Sequence, residues 1–238
     1  MKKAVNKITI ISTFAKDRLF FEKECLYKEQ DGGPAFYILR VLEDEKIPFD
    51  LKLAPKIEVD ILINKKGEFG RILSKPEAMK IDYSKIESPY LFISTILDEV
   101  DLSGINNFKG KVFIDIQGYV RNGKDFGKKE FWNPKREIAD SFFCVKGTKE
   151  EIKYIPIDFR NGQKKKMLVI TDGSNGSTIY YEGIKYESKP KIKLKTTNTI
   201  GAGDTFFSYL IYKLTQGKNI RENIDYATER AVRFLLNS

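Results

Sequence analysis

Apolar and polar positions fall into three patterns along this chain. The first is the short unbroken apolar run: Ile8 to Thr13, Tyr90 to Ser94, Val112 to Ile116, Phe142 to Val145 and Met167 to Thr171. A half-exposed strand alternates, so runs without alternation predict parallel strands buried on both faces. The second pattern is helical. Pro34 stands where a first turn tolerates it, and Ala35, Ile38, Leu39 and Leu42 recur at helical spacing up to Lys46. Two more helices close the chain, from about Gly203 to Gly217 and from about Arg221 to Leu236. The last carries Ile224, Ala227, Ala231 and Phe234 on one face. The third pattern is short strand-like pieces between turns: Leu51 to Ala54, Val59 to Asn64 and Gly70 to Ser74, with a turn at Lys65-Lys66-Gly67. A hairpin is predicted at Ser177 to Tyr181 and Ile184 to Tyr186, turning at Glu182-Gly183. The polar, aromatic-rich stretch from Phe14 to Asp31 is assigned no element. Together these patterns predict an α/β fold with some antiparallel β in the N-terminal third.

Composition narrows the function. A length of 238 residues suffices for one sizeable core. There is no apolar run of about 18 residues to cross a membrane, and the basic start lacks the apolar stretch of a signal peptide. The two cysteines, Cys25 and Cys144, are far apart, which argues against a disulfide framework or zinc site and for a reducing cytoplasm. The chain has no histidine, which excludes Ser-His-Asp and Cys-His nucleophile machinery and His-ligated metals. The formal charge of +9 is spread among acidic neighbours and comes with no groove-reading or stacking motif, so no nucleic-acid partner is expected. Trp132, with Phe126 and Phe131 among lysines, reads as a loop packed on the domain. Asp98-Glu99-Val100-Asp101 reads as a solvated acidic stretch.

The most informative segment is Thr197-Asn198-Thr199-Ile200-Gly201-Ala202-Gly203-Asp204. Two glycines around an alanine let the backbone approach a ligand closely. An apolar helix follows at Phe206, Phe207, Leu210, Ile211 and Leu214, and its first-turn amides and dipole suit an anion. Asp204 in that turn would repel a phosphate but could orient, or take a proton from, an attacking hydroxyl. An ordinary capping turn with a dipole-compensating acid is the alternative.

Asn198-Thr-Ile-Gly-Ala-Gly-Asp204 resembles the Asp-Thr-X-Gly-Ala-Gly-Asp signature of the ribokinase-type (PfkB) carbohydrate kinases. The resemblance implies an anion hole at Gly201, Ala202 and Gly203 and a catalytic base at Asp204, which suits a reaction that depends on positioning and charge stabilisation. Asn198 departs from the family's Asp. Thr171-Asp172-Gly173-Ser174-Asn175-Gly176 is similar to the family's nucleotide-lining turn, so Thr171, Gly173 and Gly176, with Thr199, are implied in donor binding. Asp17, Gly32 and Gly33 match its substrate-contacting acid and glycine pair, although Tyr37 replaces the expected Asn. Asp115-Ile116-Gln117-Gly118-Tyr119-Val120-Arg121 resembles a stretch of some members, which adds Gln117 and Arg121 on the substrate side. Gly147-Thr148-Lys149-Glu150 takes the place of the metal-linked Asn-X-X-Glu motif, with Glu150 implied as holding Mg²⁺ through water and Gly147 replacing the Asn.

The resemblance implies a ribokinase-like fold: a single kinase domain over residues 1–238, with a largely parallel sheet between helices and a small β lid from about residues 13–75. The chain is shorter than is usual for the family, so a trimmed central section and C-terminus are expected. The implied reaction transfers the γ-phosphoryl group of ATP, with Mg²⁺, to a hydroxyl of a sugar or polyol, inositols included. A nucleoside kinase stacking a base on Phe36 and Tyr37, and a non-catalytic nucleotide- or sugar-binding relative, are the rivals. Expected partners are a small molecule and a second copy paired through the lid edge.

Overall fold

The computed structural model describes residues 7–23, 25–64, 67–73, 75–192, 199–217 and 219–237. Asn198 and the Lys65-Lys66 turn lie outside the described residues. In chain order the strands are β1 (Ile8–Ser12), β2 (Ala15–Phe21), β3 (Leu26–Gly32), β4 (Phe49–Leu53), β5 (Ile57–Asn64), β6 (Gly67–Ile72), β7 (Tyr90–Ser94), β8 (Lys111–Asp115), β9 (Phe142–Thr148), β10 (Met167–Thr171), β11 (Ser177–Tyr181) and β12 (Ile184–Ser188). The helices are α1 (Pro34–Asp44), α2 (Gln117–Val120), α3 (Arg136–Ser141), α4 (Ile157–Lys165), α5 (Ala202–Thr215) and α6 (Ile220–Leu236).

The unbroken apolar runs become neighbours. The large sheet has the order β12-β11-β10-β9-β8-β7-β1-β4, parallel from β10 through to β4 and antiparallel at the β10-β11-β12 end. Successive residues in these strands face opposite layers. Ile8, Ile10, Phe92, Phe113, Met167 and Val169 pack under α1, α5 and α6, against Ile38, Leu42, Phe207, Leu210 and Ile224. Ile11, Leu91, Ile93, Ile114, Val145 and Leu168 pack on the other side, against Tyr83, Leu102, Ile105, Phe108 and Ile152. That second side is covered thinly. The link from β7 to β8 is made with a 3-10 turn, Ile105–Asn107, where such crossovers commonly carry a helix.

A second sheet has the order β3-β2-β5-β6. Two of its strands fall in the stretch that the sequence pattern left unassigned. In β2, Ala15, Asp17 and Leu19 are buried while Lys16 and Arg18 are half-buried, so a carboxylate breaks the apolar alternation. Strand β3 is an edge, exposed almost throughout and rich in charge, and it shows no apolar face to read. Trp132 packs on the domain as expected, stacked on Tyr119 at 4.9 Å. The acidic stretch after β7 is solvated only in part: Asp98 is exposed, but Glu99 is fully buried and accepts hydrogen bonds from the Thr13 hydroxyl (2.6 Å) and the Ile96 amide (2.8 Å). Among the described residues, no helix is long and apolar enough to cross a membrane.

Candidate active site

The carboxyl ends of β7, β8, β9 and β10 meet the N-terminus of α5, the place where open α/β sheets bind ligands. A cavity of about 650 Å³ lies there, roofed by Val59, Ile61 and Gly70 of the second sheet.

Its centre is the turn into α5. Gly201 caps the helix at φ +81°, a left-handed conformation that favours glycine. A side chain there would also strike the Tyr37 ring, 2.3 Å from the position a Cβ would take. The amide of Ala202 is given to the Thr199 carbonyl (3.1 Å), which locks the turn. Gly201, Ala202 and Gly203 all line the cavity, and with the Ala202 amide committed to the turn the following first-turn amides are the ones placed to meet an anion.

Asp204 faces a row of polar residues that runs across the sheet. Ser94, Asp115 and Lys146 are register partners on β7, β8 and β9. The Ser94 hydroxyl donates to Asp204 Oδ1 at 3.1 Å, and the Lys146 ammonium donates to Asp115 Oδ2 at 2.5 Å. The Lys146 and Asp115 side chains are 3% and 1% exposed. Burial pushes the Asp204 carboxyl up to about 6, although Lys146, the Ser94 bond and Arg121 pull it the other way. Burial acts to strip the Lys146 proton, but Asp115, Asp204 and Glu151 hold its pKa above the ordinary lysine value. The site thus holds a carboxylate able to take a proton near neutrality and a permanent cation beside it.

At one end of the cavity stand Asp17, Gln117, Arg121 and Phe126. Burial raises Asp17 to about 6, against the pull of Arg121. The Arg121 guanidinium lies 4.3 Å from the Phe126 ring centre and gives one N–H to the Ile96 carbonyl (3.2 Å), while its buried Nε has no hydrogen-bond partner among the described residues. Gly33 lines this end at φ +80°. Gly32 stands behind Asp17, and a Cβ there would lie 2.0 Å from the Asp17 carboxylate. At the other end are Thr171, Gly173, Gly176 and Thr199, with an apolar shelf of Ile192, Ala231, Val232 and Leu235.

Glu150 is the residue the structure does not bring in. Its side chain is 55% exposed and paired with Lys153. Its neighbour Glu151 is buried and takes the Thr148 amide at 2.8 Å, while Thr148 Oγ1 accepts the Glu151 amide at 3.2 Å. Thr148 lines the cavity and stands three positions before the buried Glu151, as Gly147 stands before Glu150. Gly147 is a packing glycine, since a Cβ there would press on Ile116 and Ile152 at 3.0–3.1 Å. Sequence reasoning also missed Ser94 and Lys146. A lysine continuing the apolar run Phe142 to Val145 was the available signal for the second.

Comparison with known proteins bears on the fold and on the C-terminal half of the chain. Residues 141–232 match the model of the pfkB family carbohydrate kinases. A 5-dehydro-2-deoxygluconokinase of Clostridium tetani (strain Massachusetts / E88) is 25% identical over 253 residues, covering 94% of this chain and 72% of that protein. Among solved structures, a pyrophosphate-dependent kinase of the ribokinase family, complexed with a pyrophosphate analog and myo-inositol, superposes with a TM-score of 0.75. It is 16% identical and is matched over 96% of this chain and 95% of its own. Arabidopsis thaliana ribokinase complexed with ribose and ATP gives 0.69 at 14% identity, over 98% and 93%. The fold is that of the ribokinase family, and the resemblance to pfkB carbohydrate kinases drawn from the glycine turn stands.

Proposed function

We propose that the chain is a phosphotransferase with an alcohol acceptor: one kinase unit over residues 1–238, with residues 15–72 supplying the lid. It moves the γ-phosphoryl group of ATP to a hydroxyl of a sugar or polyol. The observation that carries this reading is the buried Asp204 carboxylate in the first turn of α5, hydrogen-bonded by Ser94 and sharing one cavity with Lys146.

The roles follow from the geometry. Asp17 and Gln117 hold acceptor hydroxyls, a carboxylate accepting hydrogen bonds from them, and Arg121 adds a cation at the same end of the cavity. Asp204 orients the attacking hydroxyl and takes its proton. The apolar shelf on α6 suits a nucleobase, and the glycine turn at 173–176 suits the donor's phosphates. Tyr37 is less suited to stacking a nucleoside acceptor: its ring packs edge-on against Phe36 (5.2 Å) and Phe234 (5.8 Å), which favours a sugar or polyol over that rival. The intact Asp204 cluster speaks against a non-catalytic relative.

Mg²⁺ fits as a companion of the phosphates. Among the described residues no three acidic side chains gather into a metal cage, and Mg²⁺ commonly keeps its waters and takes one or two carboxylates. Glu151 would hold it, and when bound it neutralises phosphate charge. A cytoplasmic setting and a homodimer paired at the lid edge complete the proposal.

The test is product formation from Mg·ATP, and in parallel from pyrophosphate, across sugars, inositols, keto-sugars and nucleosides. Turnover of one sugar or polyol, lost in Asp204→Asn, supports the reading. Donor binding with no turnover of any acceptor sinks it.

A further inference from the structure

We infer that Lys146 is a second catalytic group, whose ammonium meets the phosphoryl group in flight over the first turn of α5. This deepens the transfer reading and rests on it. The position is the first argument. A Cβ built on Gly203 would stand 3.2 Å from Lys146 Nζ, so the ammonium lies against the backbone where an anion would be received. Lys146 lines the same cavity as Asp204, and its strand position is set by register with Asp115.

Scarcity of charge is the second argument. Among the described residues lining the cavity, the cations are Lys146 and Arg121. Arg121 is committed to the acceptor end by the Phe126 ring and the Ile96 carbonyl. The acids acting on Lys146 are Asp115, Asp204 and Glu151. An ammonium has three donors and Asp115 accepts one, which leaves two for phosphoryl oxygens. A lysine buried in the middle of a sheet is costly unless its charge is used or matched.

In the step itself, the acceptor oxygen forms its bond to the γ-phosphorus as the bond from phosphorus to the β-phosphate oxygen breaks. The electron pair leaves with the diphosphate, and the acceptor's proton passes to Asp204. Lys146 keeps its proton and hydrogen-bonds the equatorial oxygens, where charge builds.

The test compares Lys146→Met, Lys146→Arg and the double variant Asp115→Asn/Lys146→Met, which removes the Asp115 charge together with its hydrogen-bonded ammonium in case the single variant fails to fold. Steady-state kinetics are measured together with calorimetric binding of ADP alone and of ADP with aluminium fluoride, a mimic of the phosphoryl group in transfer. The double variant is expected to melt cooperatively, to bind ADP within about threefold of the wild type, and to lose ~10²-fold in kcat with acceptor KM little changed. Its gain in affinity from aluminium fluoride should fall at least about tenfold, and Lys146→Arg should recover part of both losses. A double variant that keeps the wild-type kcat, or the wild-type gain from aluminium fluoride, overturns the inference and leaves Lys146 as a counter-charge for Asp115. A wild type that binds the mimic but phosphorylates nothing overturns the transfer reading and with it the catalytic role given to Lys146, whereas loss of the inference alone shows as a double variant that keeps the wild-type kcat. One that binds neither ADP nor the mimic overturns both.

Discussion

Asp204 works only as an anion, and its environment opposes that. With its carboxyl raised to about 6 by burial, protonation on the acid side removes the base, so kcat/KM should fall as pH drops through about 6. A pH–rate profile checks this, and in Asp204→Asn the rate should be down by ~10²-fold or more with the limb gone. Asp17 makes the same bargain with stability. Its folded pKa of about 6 lies above the ordinary 3.8, so its contribution to stability is present below about pH 4 and is lost as pH rises through 6. The difference is about 3 kcal/mol from the size of the shift. Asp17→Asn should therefore raise Tm at pH 8 by roughly 5 °C or more and change it little at pH 4, while acceptor KM rises. Equal melting shifts at both pH values would contradict the burial of that charge.

At the scale of elements, the second sheet is tied both to Ile96, which packs on Ala15, Ile57 and Val59, and to the loop after α2. The Phe126 amide donates to the Gly70 carbonyl at 2.7 Å and the Ile72 amide to the Gly123 carbonyl at 2.8 Å, so β6 continues into the segment that carries Arg121. Gly70 has no side chain because the Phe126 ring occupies the space, 2.3 Å from where a Cβ would be. Gly70→Val should displace that ring and the guanidinium resting on it, raising acceptor KM by roughly tenfold with donor KM unchanged; parallel titrations of both substrates decide it. Legibility follows the same division between local and assembled features. The buried runs, the helices α1, α5 and α6 and the β11–β12 hairpin were readable because each announces itself within a few residues, whereas the shorter α2, α3 and α4 were not predicted. So was the turn at Gly201 to Asp204, whose chemistry is contiguous. Strand β2 was hidden by Asp17, a residue placed for the site rather than the fold. Ser94, Asp115 and Lys146 form one row only through strand register, which no single segment encodes. The slip from Glu151 to Glu150 has the same cause: spacing alone does not say which of two adjacent acids turns inward.

For the molecule as a whole, one layer of the core is assembled from both ends of the chain. Ile8, Ile10, Ile38, Leu42 and Phe92 are closed over by Phe207, Leu210, Ile211, Ile224 and Ala227 of α5 and α6. A chain ending at residue 201 should keep the sheet's apolar face bare and partition into the insoluble fraction, whereas the full chain stays in solution; sedimentation of the two after parallel expression is the check. The arrangement also sets an order of events during synthesis. While the ribosome adds the first two hundred residues, nothing that follows α1 can cover that face, and the nascent chain must wait with it exposed. The same two helices bring Asp204 and the apolar shelf on α6, so on the proposed function the protein would become safe from aggregation and competent for chemistry in a single late event, and quality control that senses exposed apolar surface would, in this chain, be sensing an unfinished site.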